Sequence, residues 1–377
     1  MPSIFVKRGL IGPELLPNKN LRISFENKII DEIKIGEKRR KTDLSFEHHL
    51  ITPAFINVHV HCADVLVKDR AFGYSLEEAV GQDSIKFKAL EEGKNYLSIA
   101  IKTAIQCMLE AGVSTFADFR EGGESGVIEL RKAVKGLPIR VIALGRPNSE
   151  LTDLTQVIKV VDGIGLSSPL DYDFSRLEEI SQAAEKNCKP IYTHVLESRE
   201  ITEKKRKDND ISDLDLALNP LKAQKLVHLT HATSDEIVKL TDQQHIILCP
   251  RSNSYFQEGF PPITALMKTG NLIAVGTDNV MVNTPNPLEE IRIIVNWLLL
   301  QRVVPNLTEM LKMITINAAK ILDVNTGEIS SGKYADLCIW NMKSPRTIYS
   351  QDPLRTLIFR VREPDLTCLF FEGRRVK

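Results

Sequence analysis

From residue 53 to residue 278 the chain alternates short runs rich in β-branched and apolar residues with longer segments of helical periodicity. Eight apolar runs stand out: PAFINVHVH (53–61), VSTFADF (113–119), PIRVIALG (138–145), DGIGLSS (162–168), KPIYTHV (189–195), KLVHLTH (225–231), HIILCP (245–250) and NLIAVGTD (271–278). Between them lie amphipathic segments such as SIAIKTAIQCMLEAG, FSRLEEISQAAEKN and NPLEEIRIIVNWLLLQ, each closing near a Gly, an Asn or a Pro, as helices do. Strands that alternate with helices predict a parallel sheet, and eight βα units within about 250 residues predict an α/β fold, the closed (β/α)8 TIM barrel.

The flanks follow another rhythm. Residues 1–52, with LRISFENKIIDEIKIG, and residues 325–377, with ADLCIWN and TCLFFEGRRV, alternate apolar and polar positions like short antiparallel strands. They predict one small β-sandwich domain built from both termini, leaving the barrel to residues 53–324. The longest connection, 62–96, is a candidate lid, and the charged TEKKRKDND (202–210) reads as a solvated loop.

The first barrel run carries two imidazoles. Side chains in a strand alternate with period two, so His59 and His61 share one face while Val58 and Val60 share the other. Alone, such a pair also fits hydrogen-bonded histidines on an edge strand. The other strand ends supply partners, however: His194 closes strand five and Asp278 closes strand eight, which neighbours strand one once a barrel shuts. Imidazole and carboxylate suit a divalent metal such as zinc, and a catalytic site keeps one position open for water. Glu197 and His231 arrive at the same rim. His228 and His231 lie three apart, so on one strand they face opposite sides and only one can look inward.

These motifs resemble the amidohydrolase superfamily, and within it the aminohydrolase branch of cytosine, guanine and S-adenosylhomocysteine deaminases and triazine hydrolases. PAFINVHVH, HVLE, THATSDEI, CPRSN and GTDN match the family's strand-end motifs in order, and the tail ITINAAKILDVNTGEISSGKYADLCIWN matches as well. The resemblance implies His59, His61, His194 and Asp278 as metal ligands. It selects His231 as the strand-six histidine, leaving His228 to pack outward against a helix. It also implies Glu197, His231 and Asp278 as the catalytic groups: His231 and Asp278 orient the attacking water, and Glu197 carries its proton to a ring nitrogen and the departing amine. Two departures are Ala54 after Pro53 and Cys249 in CPRSN. Strand four offers no lysine to bridge two ions, which favours one divalent metal, Zn2+ before Fe2+ or Mn2+.

Arg120 and Arg146 follow strands two and three. They either pair with Asp118 and Glu121 or contact a ring carbonyl or acidic group of the substrate. Cys62 reads as a small buried residue.

Composition narrows the rest. Lys plus Arg and Asp plus Glu balance at 49 each in 377 residues, which argues against nucleic-acid or membrane partners found by bulk charge. There is no long apolar run, and the six cysteines are scattered without a CxxC pair, as expected of a cytoplasmic protein with reduced thiols. The expected activity is hydrolytic deamination of a small heterocyclic substrate such as a nucleobase or nucleoside. The alternatives are cyclic-amide or other C–N or C–Cl hydrolysis, and a non-catalytic scaffold; a homo-oligomer is left open.

Overall fold

A computed structural model describes residues 3–376 apart from 82, 148–150 and 209. Four strands open the chain: β1 (Ser3–Ile11), β2 (Leu16–Glu26), β3 (Ile29–Lys34) and β4 (Leu44–Pro53). A parallel set follows: β5 (Phe55–His61), β6 (Val113–Arg120), β7 (Arg140–Gly145), β8 (Gly163–Leu166), β9 (Ile191–Val195), β10 (Lys225–His228), β11 (His245–Leu248), β12 (Ile273–Val275) and β13 (Asp278–Asn279). β14 (Leu337–Asn341), β15 (Leu366–Phe371) and β16 (Arg374–Arg375) complete the series.

The parallel set is one sheet in the order β12-β11-β10-β9-β8-β7-β6-β5-β13. β12 and β13 are halves of a single run, broken at Gly276 and Thr277. The first half pairs with β11 and the second with β5, so the sheet curls back on itself in the manner of a TIM barrel. All eight runs expected from the sequence are present. The eighth must pass hard against the first: a Cβ on Gly276 would sit 2.3 Å from His59 Cβ and 2.7 Å from its carbonyl oxygen, so only glycine fits there. Both faces of β5 and β6 are buried, which explains their unbroken apolar runs.

The seven remaining strands form a second sheet, in the order β16-β15-β14-β4-β1-β2-β3. The two ends of the chain thus meet in one sheet, with β4 between β1 and β14. Phe25 on β2 and Phe370 on β15 lie far apart in strand order, yet their rings meet edge to face at 6.1 Å. Arg140, at the start of β7, reaches Asp336 at 3.0 Å and Glu372 at 3.1 Å, tying the base of the barrel to this sheet. Among the described residues no helix is long and apolar enough to cross a membrane.

The 62–96 connection contains the 3-10 turn Cys62–Val67 and the helices Leu76–Val80 and Ile85–Glu92. Its Val67, Ala71, Leu76 and Ala79 pack with Phe256 and Met281, which follow β11 and β13. This apolar seam lays the segment across the rim where the parallel strands end.

Candidate metal centre

His59 and His61 point from β5 into the barrel as alternation requires, and both are buried. His194 comes from β9 and Asp278 from β13. His59 Nε2 lies 3.2 Å from Asp278 Oδ1 and 3.3 Å from His194 Nε2, and His61 Nε2 lies 3.4 Å from the same Asp278 oxygen. Donors bound tetrahedrally at about 2.0–2.1 Å from zinc stand about 3.3 Å apart, so these separations already match the edges of such a site.

His228 completes the cluster, and here the sequence reading is corrected. His59, His194, His228 and Asp278 each offer a ligand atom within 4.8 Å of the others, and His228 is fully buried rather than turned outward. Its ring stacks on His194 at 5.2 Å. The reason is backbone: β10 ends at His228, where positive φ at His228 (75°) and Leu229 (51°) swings the chain off the strand. The alternation that set the two histidines on opposite faces does not extend to His231. That ring instead sits 3.4 Å from Glu258, part-exposed and outside the cluster, while its backbone N–H donates to Leu196 O.

Leu196 and Asp278 also have positive φ, at 50° and 55°. Three strand ends thus hold uncommon backbone conformations around one point, a cost retained where geometry matters. The turn at Leu196 brings Glu197 back over the mouth, with Oε1 3.3 Å from His228 Nε2.

Three imidazoles have their far nitrogen engaged. His194 Nδ1 lies 2.8 Å from Leu166 O, His228 Nδ1 lies 3.1 Å from Asn253 Nδ2 and 3.4 Å from its Oδ1, and His61 Nδ1 lies 3.2 Å from Glu121 Oε1. Burial holds the pKa of His194 well below the ordinary histidine value. Burial together with the Lys86 charge lowers His61 to about 3, and burial lowers His228 to about 4. Neutral imidazoles are the form that binds a metal. Burial pushes Asp278 upward, but its hydrogen bond to His59 and the surrounding histidines outweigh this and favour the carboxylate. Glu197 goes the other way: burial, then the charges of Asp278, Glu258 and Asp213, raise it well above the usual carboxylate range. The donor set therefore fits one divalent ion on chemistry and spacing alike.

Of the two arginines, Arg120 is buried and paired with Glu121, with Asp118 3.7 Å away. That is the pairing its neighbourhood allowed. The Arg146 guanidinium has no ion pair or hydrogen bond among the described residues, and its Nε is buried. Lys86, Glu121, Asn57 and Thr277 also surround the centre, and none was singled out from the sequence for such a place.

Residues 50–376 match the amidohydrolase family. The chain belongs to that family. Among its relatives is a protein of Methanothermobacter thermautotrophicus named "Putative aminohydrolase", 31% identical over 395 residues spanning all of both chains. The 5-methylthioadenosine/S-adenosylhomocysteine deaminase of Pyrococcus furiosus is 25% identical over 404 residues, covering 99% of this chain and 94% of that one. An adenosine deaminase from Xanthomonas campestris, solved with bound zinc, superposes with a TM-score of 0.85 at 17% identity, over 99% of this amidohydrolase and 92% of the other chain. The fold of this chain, across 99% of its length, is thus shared with that solved deaminase.

Proposed function

We propose that this amidohydrolase is a metal-dependent hydrolytic deaminase of an aminated heterocycle of the nucleobase or nucleoside class, releasing ammonia. The carrying observation is Glu197. Its carboxyl overhangs the donor cluster, touches His228, and is held above the usual carboxylate range, so it can carry a proton to a bound ring. The adenosine-type deaminases among the relatives favour a 6-aminopurine nucleoside.

His59, His61, His194 and Asp278 would hold the ion, which when bound makes a water molecule nucleophilic at neutral pH. His228, rather than His231, orients that water through Nε2. Glu197 delivers a proton to a ring nitrogen as the water oxygen joins the adjacent carbon, and then returns a water-derived proton to the exocyclic amine. The C–N bond breaks and ammonia leaves. Arg146, just beyond β7 and with its buried Nε unpaired among the described residues, is the proposed contact for a carbonyl or acidic group of the substrate.

The Phe25–Phe370 contact supports reading residues 1–52 and 325–377 as a sandwich-like unit whose sheet folds over its own core, against a barrel of 53–324. The six cysteines, four of them buried, form no disulfide among the described residues and suit a reducing, cytoplasmic setting.

The test is ammonia release from a panel of aminopurines, aminopyrimidines and their nucleosides, beside cyclic amides scored for ring opening. Ring opening without ammonia release moves the chain to the other hydrolytic chemistry of its family. Neither activity in the metal-loaded protein overturns both readings.

A further inference from the structure

Next to the donor cluster lies a second buried group of charges that the proposed chemistry leaves unused. Glu121 follows β6, and Lys86 sits on the helix Ile85–Glu92 within the 62–96 segment. Lys86 Nζ is 2.6 Å from Glu121 Oε1, 3.3 Å from Asp64 Oδ2 and 3.4 Å from His61 Nδ1. Arg120 holds the other Glu121 oxygen. All four charged side chains are nine-tenths or more buried, although they arise from two stretches of the chain, Asp64 and Lys86 from the 62–96 segment and Arg120 and Glu121 from the end of β6.

Hydrogen-bond logic decides how the group works. His61 Nε2 faces Asp278, so for it to act as a lone-pair donor toward a metal the ring proton must sit on Nδ1. A protonated Nδ1 cannot accept from the Lys86 ammonium. It can donate to Glu121 Oε1 at 3.2 Å, and Lys86 then serves that same oxygen. His194 and His228 have neutral partners at Nδ1, a carbonyl and an amide, whereas His61 alone has a carboxylate. A carboxylate behind a ligating imidazole fixes its tautomer and raises its basicity.

We propose that Glu121 and Lys86 are positioning residues: Glu121 takes the Nδ1 proton of His61 and aims Nε2 at the metal position, and Lys86, carried in by the 62–96 segment, holds the Glu121 carboxylate in place. Seating of that segment across the rim is thereby linked to metal affinity. The inference rests on the metal-site reading above.

The experiment compares Zn2+ dissociation constants, by chelator competition, for the parent, Glu121→Gln and Lys86→Met. Visible spectra of the Co2+-loaded proteins and limited proteolysis within 62–96 are read alongside. Glu121→Gln is expected to weaken Zn2+ binding about 10- to 100-fold and to shift the Co2+ spectrum. Lys86→Met should weaken binding several-fold and speed cleavage of the segment. A role confined to charge neutralisation lowers thermal stability but leaves the Co2+ spectrum and the Zn2+ constant unchanged, and that result overturns the proposal. Should Glu121→Gln fail to fold, Glu121→Asp keeps the charge while withdrawing the oxygen from His61, and unchanged affinity in it, or in a folded Lys86→Met, is equally fatal. A parent protein that binds no metal sinks the metal-site reading itself, so the two failures are distinct.

Discussion

Asn57 and Thr277 exchange two hydrogen bonds across the closing seam of the barrel: Asn57 Nδ2 donates to Thr277 Oγ1 at 2.8 Å, and the Thr277 backbone N–H donates to Asn57 Oδ1 at 3.1 Å. Asn57 lies two residues before His59 and Thr277 one before Asp278. The pair therefore sets the register between the strand carrying the imidazoles and the strand carrying the carboxylate. Both residues are buried, so removing one leaves the other without a partner. Asn57→Ala is expected to cost about 1–3 kcal/mol in urea unfolding. It should also weaken Zn2+ binding, since it loosens the spacing between His59 and Asp278. A variant of lowered stability but unchanged metal affinity would show that the seam is held by other contacts.

Glu197→Gln preserves size and one acceptor oxygen but cannot take up and return a proton. Turnover should fall by about a hundredfold or more, with one divalent ion per chain still found by elemental analysis. Because Glu197 is not among the four clustered donors, loss of the ion in this variant would contradict its assignment as a proton carrier.

His228, which ends β10, and His231, just beyond it, can be separated by substitution. His228→Ala removes the ring that touches both His194 and Glu197, and should lower turnover by at least about 10². His231→Ala removes a ring whose contact is Glu258, and should leave turnover within several-fold of the parent. The opposite ranking would restore His231 to the chemistry.

That pair also marks where the sequence stopped being sufficient. The eight strands were legible because parallel strands buried on both faces must be apolar runs, and the strand-end histidines because period two fixes which side chains share a face. HLTH, by contrast, contains no local signal for where β10 ends. The answer lies in nonlocal bonds, from Leu229 N to Val195 O and from His231 N to Leu196 O, which pull the chain away after His228. Lys86 was out of reach for a similar reason: its place depends on an apolar seam with Phe256 and Met281, 170 and 195 residues further along the chain. Asn253 stood within the quoted CPRSN motif, yet its role as the partner of His228 appears only once β10 and the short helix Pro250–Tyr255 after β11 are side by side.

Removing the last forty residues should abolish soluble expression rather than trim a tail. Residues 338–377 include most of β14, which pairs with β4, and all of β15 and β16. Their loss exposes the edge of β4 and strips Trp340 from Phe55, on which it stacks at 5.6 Å at the start of the first barrel strand. An unpaired apolar edge invites association between chains. Recovery of a soluble, metal-binding truncation would mean that the barrel does not need the shared sheet.

Lys225 offers a test of stability that leaves the candidate centre untouched. It is the first residue of β10, at the end of the strand remote from His228, and only 9% exposed. Burial lowers its pKa to about 8, and the nearby Asp323 carboxylate offsets this only in part. The folded value is thus depressed below the ordinary lysine value near 10.5. Its contribution to stability is complete above that unfolded value and is lost as pH falls through about 8, so at pH 7 the fold carries a buried ammonium at a cost. Lys225→Met keeps the length and removes the charge, and is expected to stabilise the protein at pH 7 by on the order of 1–3 kcal/mol. Repeating urea unfolding on parent and variant between pH 7 and about pH 10 should show the advantage shrinking as the parent lysine loses its proton. A difference that stays constant across that range would assign the gain to packing of the methionine instead of relief of the buried charge.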